Sequence, residues 1–242
     1  MKVDALTLEL RPRSMNEAAD LGVRMVQANA RSLWQCFLPV YAVVVALALS
    51  LMDVAQWLPS LVIFWLKPWL DRTLLFVLSR AAFGQATGVA DLWRARGAVW
   101  WRRLAVTLSV RRLSPWRSYT QPIDQLEGQQ GSALRARSAT VLSGQRGRAA
   151  GMQFVFANLE LVLNIGALAL VAWFSLPGHQ SAAVPWLTGG SNAALWTATL
   201  VYAAVVLLVE PFFVGAGFSM YLNRRVQLEA WDVEQEFRRA FG

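Results

Sequence analysis

The positions that lack positive charge constrain this chain more than any motif does. All 23 lysines and arginines fall between residues 2 and 31, 67 and 148, or 224 and 239. None lies at residues 32–66 or 149–223, and those two stretches hold the long apolar runs. Membrane proteins concentrate basic residues on the cytoplasmic side. The pattern therefore predicts an integral membrane protein whose basic blocks stay in the cytoplasm.

The apolar runs predict an all-α integral membrane protein with about four transmembrane helices. A helix of about 20 apolar residues rises about 30 Å, the thickness of the hydrocarbon core. The predicted spans are residues 33–52, 57–79, 152–176 and 194–221. The second span is the least regular, because Pro68 predicts a break in it, and a re-entrant segment is the alternative. Four spans place both termini in the cytoplasm.

The segments outside the spans predict one helical domain, residues 1–242, rather than separate domains. Its predicted cytoplasmic segments are residues 1–31, 80–150 and 222–242. Ser14 followed by Glu17 is a capping-box pattern, which predicts a helix with an apolar face at Leu21, Met25 and Ala28. The mixture of tryptophans, leucines and arginines at residues 98–113 predicts an amphipathic helix on the inner leaflet.

Composition excludes several classes of function. The single cysteine, Cys36, excludes an internal disulfide and a multi-cysteine metal site, and the single histidine, His179, excludes a histidine cluster. The net charge of +8 is explained by basic residues beside an anionic inner leaflet, so no nucleic-acid partner is expected. No phosphate loop, nucleophile elbow or metal-ligand spacing is present. We therefore predict no catalytic, cofactor-binding or metal-binding residue.

Ionisable residues inside the predicted spans are the candidates for an intramembrane polar site. A carboxylate inside a span costs about 2 to 3 kcal/mol on insertion scales, so each needs a reason. The residues of this candidate site are Lys67, Asp71, Arg72, Glu160, Asn164 and Glu210. Glu160 and Glu210 are separated from the arginines that flank their spans by similar numbers of residues. On straight helices this spacing predicts similar depths for the two glutamates, in the inner half of the bundle.

Two interpretations of this polar site remain open. It is a proton path or binding site, or it is a buried polar layer that joins helices with Lys67 or Arg72 as the counter-charge. Lys67 and Asp71 are also spaced for an i,i+4 pair within one helix.

The last span continues into a charged amphipathic segment. Gly215, Gly217 and Ser219 follow Pro211, and such small residues favour close helix packing. Beyond them, Arg225 and Glu229 have the i,i+4 spacing of an ion pair. The predicted partner-docking residues are Arg224, Arg225, Glu229, Trp231, Asp232 and Glu234.

Several stretches resemble a known group of sequences. They are LRPRSMNEAADLG at residues 10–22, KPWLDR at 67–72, LSPWRS at 113–118 and EPFFVGAGFSMYLNRR at 210–225. Together they resemble a family of bacterial inner-membrane proteins with no established activity. Its members tend to be encoded near MoxR-type AAA+ ATPases, von Willebrand A-domain proteins and transglutaminase-like membrane proteins. The layout is more distantly similar to the membrane domain of glycerophosphoryl diester phosphodiesterases, without their catalytic domain. The resemblance implies a membrane component of a multi-protein envelope system.

Three functions are compatible with these observations. The favoured one is a non-enzymatic scaffold or accessory subunit in the bacterial inner membrane, with the lipid bilayer and other proteins as partners. The alternative is a small transporter or channel subunit, working as a homo-oligomer and using Glu160 and Glu210. The third is an intramembrane enzyme in which the two carboxylates perform acid–base chemistry on lipid or peptide.

Overall fold

A computed structural model describes residues 13–102, 104–109, 114–175 and 192–229. These residues form helices and connecting turns, and no strand occurs among them. Nine α-helices and one short π-helical segment, Gly97–Trp101, make up this part of the chain. The α-helices are α1 Met15–Ala28, α2 Ala30–Leu49, α3 Leu58–Ala81, α4 Val89–Arg94, α5 Leu104–Leu108, α6 Arg117–Gln125, α7 Gly131–Leu142, α8 Arg146–Ser175 and α9 Asn192–Glu229.

Three of these helices are long and apolar enough to cross a membrane. They are α2, α8 over Arg146–Phe174, and α9. The sequence placed spans in the same three regions, but α9 is longer than expected, with 38 residues or about 57 Å. The prediction of an all-helical membrane protein is therefore supported for three spans. The fourth predicted span, α3, has a charged second half that begins at Lys67.

The predicted break at Pro68 is wrong. Helix α3 runs without interruption from Leu58 to Ala81. Proline removes one backbone donor and crowds the preceding turn, so an intact helix needs support from its surroundings. Here two glutamines of α6 pack against the turn after the proline. Gln121 donates to the carbonyl of Pro68 at 3.3 Å, and Gln125 donates to the carbonyl of Arg72 at 2.8 Å.

Helix α1 packs lengthwise against the second half of α9. The Ser14 hydroxyl accepts a hydrogen bond from the Glu17 amide at 3.2 Å, which confirms the predicted helix start. The buried face differs from the expected one, because Ala28 is exposed. The residues buried against the body are Met15, Ala18, Gly22, Met25 and Val26. A Cβ on Gly22 would lie 2.2 Å from the Gly215 carbonyl oxygen, so the two helices touch backbone to backbone.

The central part of the chain does not form one amphipathic helix over residues 98–113. The π-helical segment ends at Trp101, Arg102 is extended, and α5 covers only Leu104–Leu108. The interruption has a packing reason. Carbonyls of the π-helical segment accept hydrogen bonds from side chains of α3, namely Val99 from Arg72 and Trp100 from Trp69. A regular helix would use those carbonyls itself.

Helix α6 is polar and yet buried between α3 and α9. Its buried residues include Arg117, Ser118, Tyr119, Gln121 and Asp124. Burial of polar groups is costly unless each finds a partner. Helix α6 therefore supplies the interaction partners of charged residues that the sequence analysis placed inside apolar helices.

Candidate functional site

Five charged side chains from α3, α6, α8 and α9 meet in one cluster, which we call the charge cluster. Lys67 lies centrally, with its Nζ atom 2.5 Å from Glu160 Oε2 and 2.7 Å from Glu210 Oε2. Arg117 Nη2 lies 2.5 Å from Glu210 Oε1, and its Nε lies 2.9 Å from Asp71 Oδ2. Glu210 therefore bridges both cations. The structure brings together four of the residues predicted for the polar site: Lys67, Asp71, Glu160 and Glu210.

The members of the charge cluster are almost entirely withdrawn from solvent. The side chains of Asp71, Glu210 and Arg117 are 0%, 1% and 3% exposed, and only Glu160, at 17%, is appreciably open. The attraction between two buried opposite charges roughly offsets the free energy that is lost when both leave water. Removing one partner, in contrast, leaves an uncompensated buried charge and costs about 3 to 5 kcal/mol. The cluster therefore holds α6 and α8 to α3 and α9 through groups that depend on one another.

The charge cluster contains three carboxyl groups and only two cations. With every group ionised, three negative and two positive charges leave one net negative charge. Asp71 is the least satisfied member. Its oxygens lie within ion-pair distance of Arg117, but they accept no well-aligned hydrogen bond from the described residues. A proton or a small cation at this point would balance the charge.

Of the two counter-charges expected for the intramembrane glutamates, Lys67 takes that role and Arg72 belongs to a separate buried site. Its Nη1 atom lies 3.3 Å from Asp124 Oδ2 on α6. Its other nitrogens donate to the carbonyls of Val99 and, at 3.1 Å, Ala98. The predicted pairing of Lys67 with Asp71 is also wrong, because Lys67 binds the two glutamates and Asp71 faces Arg117.

A cavity of about 540 Å³ adjoins the charge cluster between α3, α8 and α9. Lys67, Arg117, Glu160 and Glu210 form its charged wall. Asn164, the sixth predicted residue, also lines it, and the Asn164 Nδ2 atom is buried without a hydrogen-bond partner among the described residues. The remaining lining is largely aromatic and aliphatic: Phe64, Phe156, Leu161, Tyr202, Val209 and Phe213. The cavity therefore combines both signs of charge with an apolar wall, as expected for an amphipathic ligand.

A second ion-pair network lies at the far end of α9. Arg137 on α7 donates to Glu127, at 2.8 and 3.0 Å, and to Glu229. These hydrogen bonds, first of all those to Glu127, raise the pKa of Arg137 above its ordinary value against the opposing effect of burial. The Tyr221 hydroxyl donates to Glu127 at 2.5 Å. The network fastens the α6–α7 connection to the end of α9.

The predicted docking residues divide into two groups. Arg225 pairs with Glu229 at 2.6 Å, which confirms the i,i+4 ion pair, and both residues belong to this second network. Arg224 donates to the Ser143 carbonyl at 3.1 Å. These three residues therefore make contacts within the chain. Trp231, Asp232 and Glu234 lie outside the described residues.

The sequence analysis missed Arg117, the residue that completes the charge cluster. Arg117 stands in the central basic block, where an arginine is expected to face the cytoplasm. One signal was present: LSPWRS at 113–118 is one of the stretches that carry the family resemblance. Nothing in the spacing of that stretch, however, connects it with Glu210, which is 93 residues away.

Within the residues that the structure describes, the geometry defines a helical protein with three membrane-length helices and a buried cluster of charges contributed by α3, α6, α8 and α9. Comparison with family models, curated proteins and solved structures gives no match for this chain.

Proposed function

We propose that this protein is a non-enzymatic scaffold or accessory subunit of a multi-protein envelope system in the bacterial inner membrane. In this proposal α3 is a fourth span and both termini are cytoplasmic. The bilayer and other proteins are its partners, with a homo-oligomer as one form of assembly. The family resemblance suggests an ATPase or a transglutaminase-like membrane protein among those partners.

The burial of α6 is the observation that supports this proposal best. Helix α6 lies in the central basic block, yet its charges pair with residues of the long helices α3 and α9. Helix α1 is also seated on α9, and α7 is fastened to it by ion pairs. The central segments and the apolar helices thus form one rigid unit. Such a unit suits a protein that holds partners in a fixed arrangement.

Affinity purification from the native host in mild detergent, read by mass spectrometry, tests the scaffold proposal. We expect recovery of a partner protein in stoichiometric amount. A variant with Trp231→Ala, Asp232→Asn and Glu234→Gln removes three of the six predicted docking groups and should lose that partner. Its control, Asp53→Asn with Trp57→Ala, makes two of the same three substitutions in the turn between α2 and α3 and should retain it. Recovery of the chain alone would contradict the proposal.

A transporter or channel subunit is the second candidate, and the cavity beside the charge cluster favours it. With every group ionised the cluster carries one net negative charge, and the cavity gives a proton or cation access to Glu160, its most exposed carboxylate. Flux of protons into liposomes containing the protein, driven by a potassium diffusion potential, is the test. Glu160→Gln should abolish the flux. Asn158→Ala, which removes a polar side chain at an exposed position of the same helix without adding a charge, serves as the control. Wild-type flux in both Glu160→Gln and Glu210→Gln would exclude this function.

A further inference from the structure

A second cavity of about 540 Å³, unrelated to the charge cluster, lies on the opposite side of α3, between α2, α4 and α5. We call it the apolar groove. Its lining contains no charged residue and consists of valines, leucines, tryptophans, Pro39 and Cys36. Val43 and Leu47 at its rim are 59% and 63% exposed. The groove is therefore open along one side rather than enclosed within the protein.

The dimensions of the apolar groove match one leaflet of a bilayer. Its α2 wall extends from Cys36 to Leu47, eleven helical steps or about 16 Å. The hydrocarbon core of a bilayer is about 30 Å thick, so one leaflet contributes about half of that. An acyl chain lying along α2 would fill the groove over the depth of a single leaflet.

The end of the groove near Cys36 adjoins α4, because the Cys36 thiol donates to the carbonyl of Thr87 just before that helix, and Trp93 of α4 lines the groove. Trp69, Trp100 and Trp93 form a continuous set of rings, with centroids 5.8 and 6.3 Å apart. Trp93 and Trp101 are 60% and 66% exposed although they line an apolar groove. Tryptophan is enriched at the membrane–water interface, where its ring is buried and its N–H remains hydrated. This end therefore has the character of a headgroup region.

The residues beside these tryptophans are basic. Between residues 89 and 102 there are three arginines, Arg94, Arg96 and Arg102, and one acid, Asp91. All three arginines are exposed, and Arg96 lies over the Trp93 ring at 5.0 Å. Arg94 contacts Asp91 through one nitrogen at 3.4 Å. A guanidinium has five donor hydrogens, so donors remain for a phosphate.

We propose that the apolar groove binds one acyl chain of an anionic phospholipid, whose phosphate is held by Arg94 and Arg96. The order of polarity along the site matches that along the lipid. The apolar groove, one leaflet deep, corresponds to the acyl chain, the tryptophans to the interface, and the arginines to the phosphate. A partner transmembrane helix fits less well. Helix pairs in membranes approach through glycine, alanine and serine, and the lining of this groove contains none of these residues.

Native mass spectrometry of the purified protein, titrated with phosphatidylglycerol and with phosphatidylcholine of identical acyl chains, tests the proposal. We expect tighter binding of phosphatidylglycerol. One arginine near a membrane surface contributes about fivefold in affinity, so Arg94→Gln with Arg96→Gln should weaken phosphatidylglycerol about 25-fold. Phosphatidylcholine should weaken by a smaller factor, because its choline cation offsets the charge of its phosphate. Val43→Trp, at the open rim, should block the groove and weaken both lipids.

Two matched controls separate the groove from general surface effects. Arg135→Gln with Arg148→Gln removes two exposed arginines elsewhere and should leave the lipid preference intact. Val162→Trp places the same ring on the exposed face of α8 and should bind lipid normally. Equal affinity for the two lipids, equal losses in variants and controls, or tight binding of a free fatty acid in place of the phospholipid would each overturn the proposal. So would a co-purified protein that Val43→Trp displaces while lipid binding is unchanged.

Discussion

Replacing Gly217 by alanine should displace α6 and destabilise the whole protein. An added Cβ at Gly217 would lie 2.3 Å from the Ser118 hydroxyl oxygen, 2.5 Å from Ser118 Cβ and 2.7 Å from the Ser118 carbonyl carbon. The hydroxyl can rotate away, but the other two atoms move only with the α6 backbone. An ordinary contact of 3.4 Å requires Ser118 Cβ, the closer of these two atoms, to retreat by 3.4 − 2.5, or about 0.9 Å. That shift would also pull the adjacent Arg117 away from Glu210.

The expected loss of stability follows from two opposing contributions. Overpacking of a well-packed site costs about 1 to 3 kcal/mol. We expect the upper end of this range at Gly217, because two of the three close atoms cannot move without the α6 backbone. Alanine gains about 1 kcal/mol over glycine inside a helix. The net loss is about 2 kcal/mol. For a chain of this size, that loss lowers the unfolding temperature by about 4 to 8 °C.

Thermal unfolding in mild detergent, followed by tryptophan fluorescence, measures this effect. Gly166→Ala is the matched control, because an added Cβ at that position on α8 meets nothing within 4 Å. It should raise the unfolding temperature slightly through helix propensity alone. Ser118→Gly removes two of the three close atoms and should restore part of the stability of Gly217→Ala. Equal unfolding temperatures for Gly217→Ala and Gly166→Ala would refute the packing argument.

Three further changes have defined outcomes. Glu210→Gln should lower the unfolding temperature more than Glu160→Gln, because Glu210 bridges two buried cations whereas Glu160 contacts one and is partly exposed; equal shifts would be inconsistent with the geometry of the charge cluster. Asn223→Ala should cost about 1 to 3 kcal/mol, because its side chain pairs with both the amide and the carbonyl of Arg13; hydrogen exchange at the start of α1 should accelerate, and unchanged protection there would count against it. Arg137→Gln should cost only about 1 kcal/mol, because this network is partly solvated; limited proteolysis should nevertheless show faster cleavage around α7, and the wild-type pattern would contradict this.

Sequence patterns predicted the parts of the fold that depend on local chemistry. Long apolar runs predicted α2, α8 and α9, and the Ser14 cap predicted where α1 begins. Glu160 and Glu210 attracted attention because a carboxylate in an apolar run has a large cost wherever the helix packs. These features could be found because each is contained within one segment of the chain.

The remaining features depend on contacts between distant segments. Pro68 predicts a break on local grounds, whereas α3 continues through it, and glutamines of α6 bind the carbonyls of Pro68 and Arg72. Arg117 resembles any other cytoplasmic arginine until α6 is placed between α3 and α9. Arg72 directly follows Asp71 of the charge cluster along the sequence but faces Asp124 instead. No periodicity in a single sequence encodes which helix will lie opposite such a residue.

The spacing of the charge cluster along the chain also determines how the protein can be made. Lys67 is synthesised 93 residues before Glu160, and Arg117 is synthesised 93 residues before Glu210. At roughly 5 to 20 residues per second, each cation waits about 5 to 20 s for its carboxylate. During that interval Arg117 has only Asp71 as a partner, and Lys67 has only Glu160 once α8 is made. The arrival of α9 therefore completes the cluster, because Glu210 is the one carboxylate that joins the two pairs.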